Sequence, residues 1–251
     1  MTEPAPGFEI SVRDDAIVPN DLVVGGAAPD LASLSAIDYL VQESDSEQIG
    51  VARTSGLPDI AVITDGEPRH PIRLYRLENY DLTALIAESI VPVWLSDNFA
   101  RALEDWLSSH EFRSISILHG GQFPHSEQQH VPFLVSAGSY RDRLPGKPID
   151  PLPTGLLDGL AGEALLRADE GTFPPTGVIV TPAHLPGPDI NAAITLLDGF
   201  GSALSKTIDV TGLRERAEQL EAYFEGLADR MEALRERKSP HREFPEDRMY
   251  M

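Results

Sequence analysis

Leu22-Val23-Val24-Gly25-Gly26 gives the clearest local indication of how this chain folds. A short apolar run that ends in glycine is typical of a buried strand. Gly25 and Gly26 indicate a tight strand–helix turn, and the Asp30 side chain is suited to cap the helix that follows. In that helix the apolar residues recur at helical spacing, at Leu31, Leu34, Ile37, Leu40 and Val41. The stretch therefore predicts a buried strand that leads directly into an amphipathic helix.

Strand and helix patterns alternate along most of the remaining chain. Apolar runs predict strands at Ile49–Thr54, Ala61–Thr64, Ile72–Leu77, Leu82–Ala87, Ser114–His119 and Gly177–Thr181. Apolar residues at helical spacing predict a helix capped by Asp97 and two more over Gly155–Ala168 and Asn191–Ser205. This alternation predicts an α/β fold over residues 1–208, a three-layer αβα sandwich around a mixed, mostly parallel sheet.

Two local expectations accompany this architecture. Asp65-Gly66 is a turn signal, so the apolar runs on either side of it, Ala61–Thr64 and Ile72–Leu77, are expected to pair as an antiparallel hairpin. Trp94 and Trp106, which flank the start of the helix after Asp97, are expected in the core.

Residues 209–238 have a different pattern, a heptad repeat of apolar positions in an otherwise charged segment. The repeat consists of Leu213, Ala217, Leu220, Phe224, Leu227, Met231 and Leu234. It predicts a helix that packs either on a helix of a second subunit or on the core of its own domain. Residues 239–251, which begin with Ser239-Pro240, are expected to form a flexible tail.

The composition excludes several classes of protein. The 251 residues include no cysteine, so disulfides, cysteine-ligated zinc and thiol catalysis are excluded. No stretch approaches the roughly 20 apolar residues of a membrane span, and no signal-peptide pattern opens the chain, so a cytoplasmic protein is expected. The formal net charge of −20 argues against nucleic-acid and membrane partners. Forty acidic residues with only three lysines favour a high-salt cytoplasm, as in halophilic archaea.

Four candidate metal ligands lie close together near the end of one predicted strand: His119, His125, Glu127 and His130. Their residue types suit zinc. However, no spacing places two of the histidines on one face of a helix, and the surrounding residues 122–153 are rich in Pro, Gly and polar residues. A polar loop without metal is therefore expected. No cofactor is expected either, because Gly25-Gly26 belongs to neither a dinucleotide-binding pattern nor a P-loop.

The last three residues of the sequence, Met249-Tyr250-Met251, form a hydrophobic-tyrosine-any triplet (HbYX). Capture of a C-terminal carboxylate is a known recognition mode. A suitable pocket would pair the carboxylate with a lysine, bury Met249 and hydrogen-bond the Tyr250 hydroxyl. The triplet resembles the tail with which proteasome activators and assembly chaperones dock between α-subunits of the 20S particle. This resemblance makes Met249, Tyr250 and Met251 the expected partner-binding residues.

Further segments occur in an order that matches one family. They are the opening Val23-Val24-Gly25 strand, the helix end Asp38-Tyr39-Leu40, Gly56–Asp59, Asp65–Tyr75, Leu118–Gly121 and Thr154-Gly155-Leu156. From about Leu22 to Arg237 the chain resembles the archaeal proteasome-assembly-chaperone family, relatives of the second subunit of the eukaryotic assembly-chaperone pair. The resemblance implies an αβα fold akin to the phosphorylase/hydrolase-like group, a homo-oligomer, and ATP-independent action on 20S α-subunits.

The sequence thus predicts a binding protein and not an enzyme: an ATP-independent proteasome assembly chaperone or 20S-binding factor. A second hypothesis is a small-molecule hydrolase or phosphorylase-like enzyme that uses the loops at the carboxyl ends of its strands. A buried polar pocket around His119 and Gly25 that holds a metal or an anion would favour the enzyme. A scaffold that only forms oligomers is the third hypothesis, and it would bury the tails in its own subunit interface.

Overall fold

An eight-stranded sheet flanked by helices forms the centre of the computed structural model, which describes residues 7–55, 57–58, 60–123, 125, 130–185 and 187–218. The strands are β1 (Phe8–Val12), β2 (Asp21–Gly26), β3 (Ser46–Thr54), β4 (Val62–Thr64), β5 (Glu67–Arg69), β6 (Ile72–Leu77), β7 (Leu82–Ala87), β8 (Ser114–Gly121), β9 (Phe133–Ala137) and β10 (Thr176–Pro182). The helices are α1 (Ala32–Gln42), α2 (Ser96–Ser108), α3 (Tyr140–Arg143), α4 (Gly159–Asp169) and α5 (Ile190–Ala203).

The main sheet has the strand order β1-β3-β6-β7-β2-β8-β10-β9. The four strands at its centre, β7, β2, β8 and β10, run parallel, and the pairs on both sides of them are antiparallel. Parallel strands covered on both faces require continuous apolar runs, and every residue of β7 and β10 is buried. The predicted α/β fold with a mixed sheet flanked by helices is thereby confirmed.

Successive side chains of the central strands point into two different helical layers. In β2, Val23 joins the hydrophobic cluster of α1 and α5, whereas Leu22 and Val24 join the cluster of α2 and α4. This alternation follows from the two-residue period of a strand. It produces the three layers of the sandwich, with α1 packed on α5 and α2 packed on α4. Among the described residues no helix is both long and apolar enough to cross a bilayer.

The starts of the helices show which predicted caps form. The residue at the N-cap position of α1 is Leu31, in a left-handed conformation and without a side-chain cap. Asp30 acts from one position earlier, where its Oδ1 atom accepts a hydrogen bond from Ala32 N at 2.8 Å, the first N–H of the helix. The prediction that Asp97 caps α2 is wrong. Asp97 lies inside the first turn, where its carboxylate instead forms ion pairs with Arg101 and Arg167.

The predicted hairpin between Ala61–Thr64 and Ile72–Leu77 is also wrong. Asp65 and Gly66 have φ angles of 53° and 82°, and a two-residue turn of this kind places Thr64 opposite Glu67. The strand that pairs with β4 is therefore β5, in a separate two-stranded sheet. β6 instead lies between β3 and β7 in the main sheet. The edge strand β1 was not predicted.

The first residues of the heptad segment belong to the domain core. Residues 211–218 are helical, and Leu213 and Ala217 are buried in the cluster of α1 and α5. The Arg216 guanidinium lies 5.7 Å from the centre of the Tyr39 ring, which anchors the same turn. The remaining repeat positions Leu220, Phe224, Leu227, Met231 and Leu234, and the triplet Met249-Tyr250-Met251, lie outside the described residues.

Candidate functional site at the carboxyl ends of the strands

β2 and β8 separate at their carboxyl ends. Their pairing ends at Val24 and Ile117, whereas β2 remains paired with β7 as far as Gly26. Beyond that point the Ser33 side chain bridges the two strands, because its Oγ donates to Leu118 O at 2.6 Å and accepts from Gly26 N at 3.1 Å. The connection after β2 leads to β3 on one side of the gap, and the connection after β8 leads to β9 on the other side. Ligands bind at such a position in open α/β sheets.

Three strand-end loops meet tightly around Asp30, which is 2% exposed. A Cβ atom on Gly120 would lie 2.5 Å from Asp30 Oδ1, and one on Gly187 would lie 2.4 Å from Asp30 O. Asp189 N donates to the same carbonyl oxygen at 2.9 Å. Asp30 therefore packs against the end of β8 and is hydrogen-bonded to the β10–α5 loop, in addition to binding the first N–H of α1.

The glycines that end β2 serve close packing. A Cβ atom on Gly25 would lie 2.6 Å from the Cβ of Ile37, so only glycine lets α1 approach the strand this closely. This agrees with the interpretation of Gly25-Gly26 as a tight strand–helix turn.

A cavity of about 530 Å³ opens at the gap between β2 and β8. Its walls come from the ends of β2 and β8, the β7–α2 connection and the start of α4. Most of the lining is apolar, and its polar side chains are Ser33, Ser89, His119 and Asp158. No lysine or arginine occurs among the described residues of the lining. The cavity therefore suits an apolar or weakly polar ligand better than a phosphate.

His119 is the titratable group of this cavity most affected by burial. Burial lowers the pKa of the His119 imidazole, and the nearby carboxylates of Asp30 and Asp158 oppose that shift. The imidazole is consequently neutral at neutral pH, with one nitrogen that donates a hydrogen bond and one that accepts.

An apolar rim surrounds the mouth of the cavity. Trp94 is 80% exposed there, and Ile90 and Val93 are also exposed. The prediction that Trp94 belongs to the core is wrong, because a single 3-10 turn over Val93–Leu95 buries Leu95 and turns Trp94 outward. Trp106 is buried in the layer of α2 and α4, as expected.

The predicted cluster of candidate metal ligands divides into two places. His119 lines the cavity, whereas His125 and His130 lie together with His184 in a separate group. Glu127 lies outside the described residues. His184 was missed because it is distant in sequence. Its position directly after a predicted strand was the signal that could have found it, since parallel strands end at one edge of a sheet.

Comparisons with known proteins agree with this architecture. Similar solved structures include PbaA of Pyrococcus furiosus, an archaeal homologue of proteasome-assembly chaperone, with 19% identity, a TM-score of 0.78, and coverage of 91% of this chain and 95% of PbaA. PbaB of the same organism, an archaeal proteasome activator, matches with 20% identity, a TM-score of 0.71, and coverage of 88% and 99%. A proteasome-assembly chaperone homologue of Mycobacterium tuberculosis matches with 15% identity, a TM-score of 0.54, and coverage of 82% and 94%.

The sequence comparisons identify the family. A comparison with curated proteins finds no match. The model of the PAC2 family matches residues 31–228, which include most of the sandwich and the start of the heptad segment. The resemblance drawn from the order of the sequence motifs is thereby confirmed, and the chain belongs to the PAC2 family.

Proposed function

We propose that this chain is an ATP-independent factor that binds the 20S proteasome, either to assist its assembly or to act on the finished particle. The observation that carries the proposal is the family match over residues 31–228. The likeness of the fold to PbaA, a homologue of proteasome-assembly chaperone, and to PbaB, a proteasome activator, supports it. ATP independence is supported by the mainly apolar cavity, whose described lining offers no cation for phosphates.

The docking element in this proposal is the triplet Met249-Tyr250-Met251. Its partner is a pocket between α-subunits that takes up the Met249 side chain, the Tyr250 ring and hydroxyl, and the carboxylate of Met251. In high salt these short-range contacts must supply the affinity, because long-range attraction between charged surfaces is screened within ~3 Å at 1 M. Several tails on one homo-oligomer would add to one another by raising the effective concentration.

Binding to intact 20S particles tests the docking element. We expect Tyr250→Ala to weaken co-sedimentation in molar KCl by roughly 30-fold or more, the effect of losing an interface hot spot worth ~2 kcal/mol. One residue appended after Met251 is expected to weaken it as well, because the carboxylate is displaced. Phe244→Ala is the matched control, since it removes an aromatic ring from the same segment but not from the triplet. Parent-like binding by both tail variants would remove the triplet as the anchor.

We further propose that the heptad repeat continues to pack beyond residue 218, either on its own domain or on a helix of a second subunit. The burial of Leu213 and Ala217 in the domain core supports a helix that starts on its own domain. Each further buried leucine or phenylalanine is worth ~1.5–3 kcal/mol. Leu220→Asp with Leu227→Asp should therefore lower the mass measured by light scattering or lower the melting temperature. Gln219→Asp with Ala228→Asp, off the repeat, adds the same charge as a control. An unchanged mass and melting point in the first variant would contradict the proposal.

The proposed setting is the high-salt cytoplasm of a halophilic archaeon. Its support is the ratio of 40 acidic to 20 basic residues, with arginine in place of almost all lysine. Such a surface repels itself strongly in dilute buffer and much less when salt screens it.

A second candidate function is the binding or hydrolysis of a small molecule in the strand-end cavity. The observation that favours it is the position of the cavity at the gap between β2 and β8, with the neutral imidazole of His119 in its wall. His119→Ala separates the two candidates. Loss of small-molecule binding with intact binding to 20S particles supports a separate role for the cavity.

A further inference from the structure

Three histidines from two loops meet at the carboxyl edge of the sheet. His125 and His130 lie between β8 and β9, and His184 follows β10. Because β8 and β10 are parallel neighbours, both loops leave the sheet at the same edge. One ring nitrogen of each histidine lies within 4.8 Å of those of the other two.

The three rings converge without stacking face to face. Their centroids are 4.5 Å apart for His125 and His130, 5.2 Å for His125 and His184, and 5.0 Å for His130 and His184. The interplanar angles range from 31° to 63°. Zinc–nitrogen bonds of about 2.0–2.1 Å at tetrahedral angles place ligand nitrogens about 3.4 Å apart, so small side-chain rotations would bring the three nitrogens to bonding positions.

The His125 ring is held in one tautomer by the backbone. Its Nδ1 atom lies 2.7 Å from the carbonyl oxygen of Phe123. A carbonyl oxygen only accepts hydrogen bonds, so Nδ1 carries the proton and Nε2 keeps its lone pair. A ligand histidine whose other nitrogen donates to a backbone carbonyl is a common arrangement in metal sites.

The His184 ring is held by the carboxylate of Asp189. The His184 Nδ1 and backbone N atoms both lie 2.8 Å from Asp189 Oδ2. Asp189 Oδ1 in turn accepts from Ala192 N at 2.9 Å, which fixes the carboxylate at the start of α5. A carboxylate–histidine pair of this kind orients the imidazole and makes its remaining nitrogen a better metal ligand.

We propose that His125, His130 and His184 form a three-imidazole site for a divalent transition-metal ion of the zinc type. Asp189 and the Phe123 carbonyl support the site without touching the ion. The bound ion links the β8–β9 loop to the β10–α5 loop. Since His130 and His184 are exposed, the fourth coordination position faces solvent and takes water or a side chain of a bound partner.

The ligand set selects the class of ion. Imidazole nitrogens suit zinc, copper, nickel and cobalt, whereas magnesium and calcium prefer oxygen ligands. The strongly negative chain further favours a cation over an anion at this edge. A metal-free loop was expected because the spacing of the ligands within residues 119–130 alone forms no metal site. His184 supplies the third ligand from another loop, and this changes the expectation.

Isothermal titration of the metal-free full-length protein with ZnCl₂ in molar KCl tests the proposal. We expect one zinc ion per chain, and at least a tenfold loss of affinity in His130→Gln and in His184→Gln. Asp189→Asn should weaken binding by roughly 10–100-fold, the usual effect of removing a carboxylate behind a ligand histidine. Asparagine remains a good helix cap, so α5 should stay intact.

His70→Gln is the matched control, because His70 is an exposed histidine outside the group. It should bind zinc like the parent chain, and far-ultraviolet circular dichroism should show the parent fold in every variant. The visible absorption of bound Co²⁺ gives an independent readout of coordination by nitrogen, and we expect it to disappear with His184→Gln. The proposal is overturned if the double variant His130→Gln/His184→Gln binds zinc as tightly as the parent chain. It is also overturned if the histidine variants change the melting temperature without zinc and leave the zinc affinity unchanged.

Discussion

The α1/α5 layer and the α2/α4 layer cover opposite faces of one sheet but are held in place by different forces. α1 and α5 pack against each other in one hydrophobic cluster, which includes the rings of Tyr39 and Phe200, and α5 carries a single charged residue, Asp198. Between α2 and α4, by contrast, the Arg167 guanidinium lies 2.8 Å from Asp97 Oδ1, also bonds to Glu104, and lies 3.6 Å from Glu163 Oε2. Close packing thus fixes the first layer, and charge contributes to the second.

This contrast between the two layers indicates where salt acts on the protein. One arginine, 15% exposed, serves three carboxylates, so the site keeps an excess of negative charge. Screening extends only ~3 Å in 1 M salt but ~30 Å at 0.01 M, so repulsion among the carboxylates grows in dilute buffer. Apolar packing involves no charges, so screening by salt does not change it in this way. We therefore expect the two layers to respond separately to mutation and to salt.

The largest expected effect is the loss of packing in the α1/α5 layer. Leu197 of α5 is fully buried, so Leu197→Ala should lower the free energy of unfolding by ~2–5 kcal/mol, measured by urea denaturation. The cost should be the same in dilute and in molar KCl. Leu166→Ala, at a position of α4 that is 64% exposed, is the control and should change stability by no more than ~0.5 kcal/mol. A strong salt dependence of the cost of Leu197→Ala would contradict the claim that the α1/α5 layer is held by packing alone.

The next effect concerns charge in the α2/α4 layer. Arg167→Met keeps much of the side-chain volume but removes the buried cation from three carboxylates, of which only Asp97 keeps a second partner in the described part of the chain, the exposed Arg101. We therefore expect a loss of ~2 kcal/mol in dilute buffer. The loss should be smaller in 1 M KCl, where the remaining repulsion is screened. Arg101→Met removes an ion pair whose arginine side chain is 69% exposed, and it should cost only ~0.3–0.5 kcal/mol. Equal costs at low and high salt would show that packing, not charge, gives Arg167 its role.

A third effect concerns the ionisation of Tyr140, which is buried in the cluster of α1 and α5. Burial raises the pKa of Tyr140 from 10.0 to about 12, although its hydroxyl bonds Ser116 Oγ at 2.8 Å. Above pH 10 the unfolded chain releases the phenol proton while the folded chain keeps it, so stability falls by ~1.4 kcal/mol per pH unit until about pH 12. Urea denaturation at pH 9 and pH 11 should show this slope in the parent chain and a shallower one in Tyr140→Phe. Parallel slopes would contradict the assignment.

The smallest effect is a local change in the protection of backbone amides against hydrogen exchange. When KCl is lowered from 1 M to 0.01 M, hydrogen exchange should accelerate more in α4 than in α5, because only the α4 interface depends on the carboxylate group. The melting temperature of the whole chain should fall as well. A melting temperature that does not change with salt would remove the argument for a high-salt origin. Equal acceleration of exchange in both helices would show that the repulsion acts on the whole domain and not on the α2/α4 layer in particular.

The parts of the fold that the sequence predicts best are those with one dominant signal. β2, β7, β8 and β10 are parallel and covered on both faces, so they carry short, mainly apolar runs that are easy to detect, with buried polar exceptions such as Thr83 and Ser116. The helices α1, α2, α4 and α5 lie within a few residues of their predicted positions, because their apolar residues recur at helical spacing. Family membership followed from the order of several motifs, none of which is specific by itself.

The parts that were missed depend on contacts between distant residues. β1 is the exception, because Phe8-Glu9-Ile10-Ser11-Val12 alternates apolar and polar residues, a local strand signal that the prediction overlooked. The exposure of Trp94 depends on a short turn, not on its residue type. The histidine group requires knowing that β8 and β10 are neighbours, which follows only from the topology of the sheet.

The unequal surroundings of the two tryptophans give this protein built-in optical probes. Trp94 stands in water at the mouth of the cavity, while Trp106 is shielded and its ring centroid lies 4.8 Å from that of Phe112. In Trp106→Phe the only remaining tryptophan is Trp94, so a blue shift of the tryptophan emission would show that a ligand or partner has covered the mouth of the cavity. In Trp94→Phe the emission of Trp106 would follow unfolding of the α2/α4 layer alone.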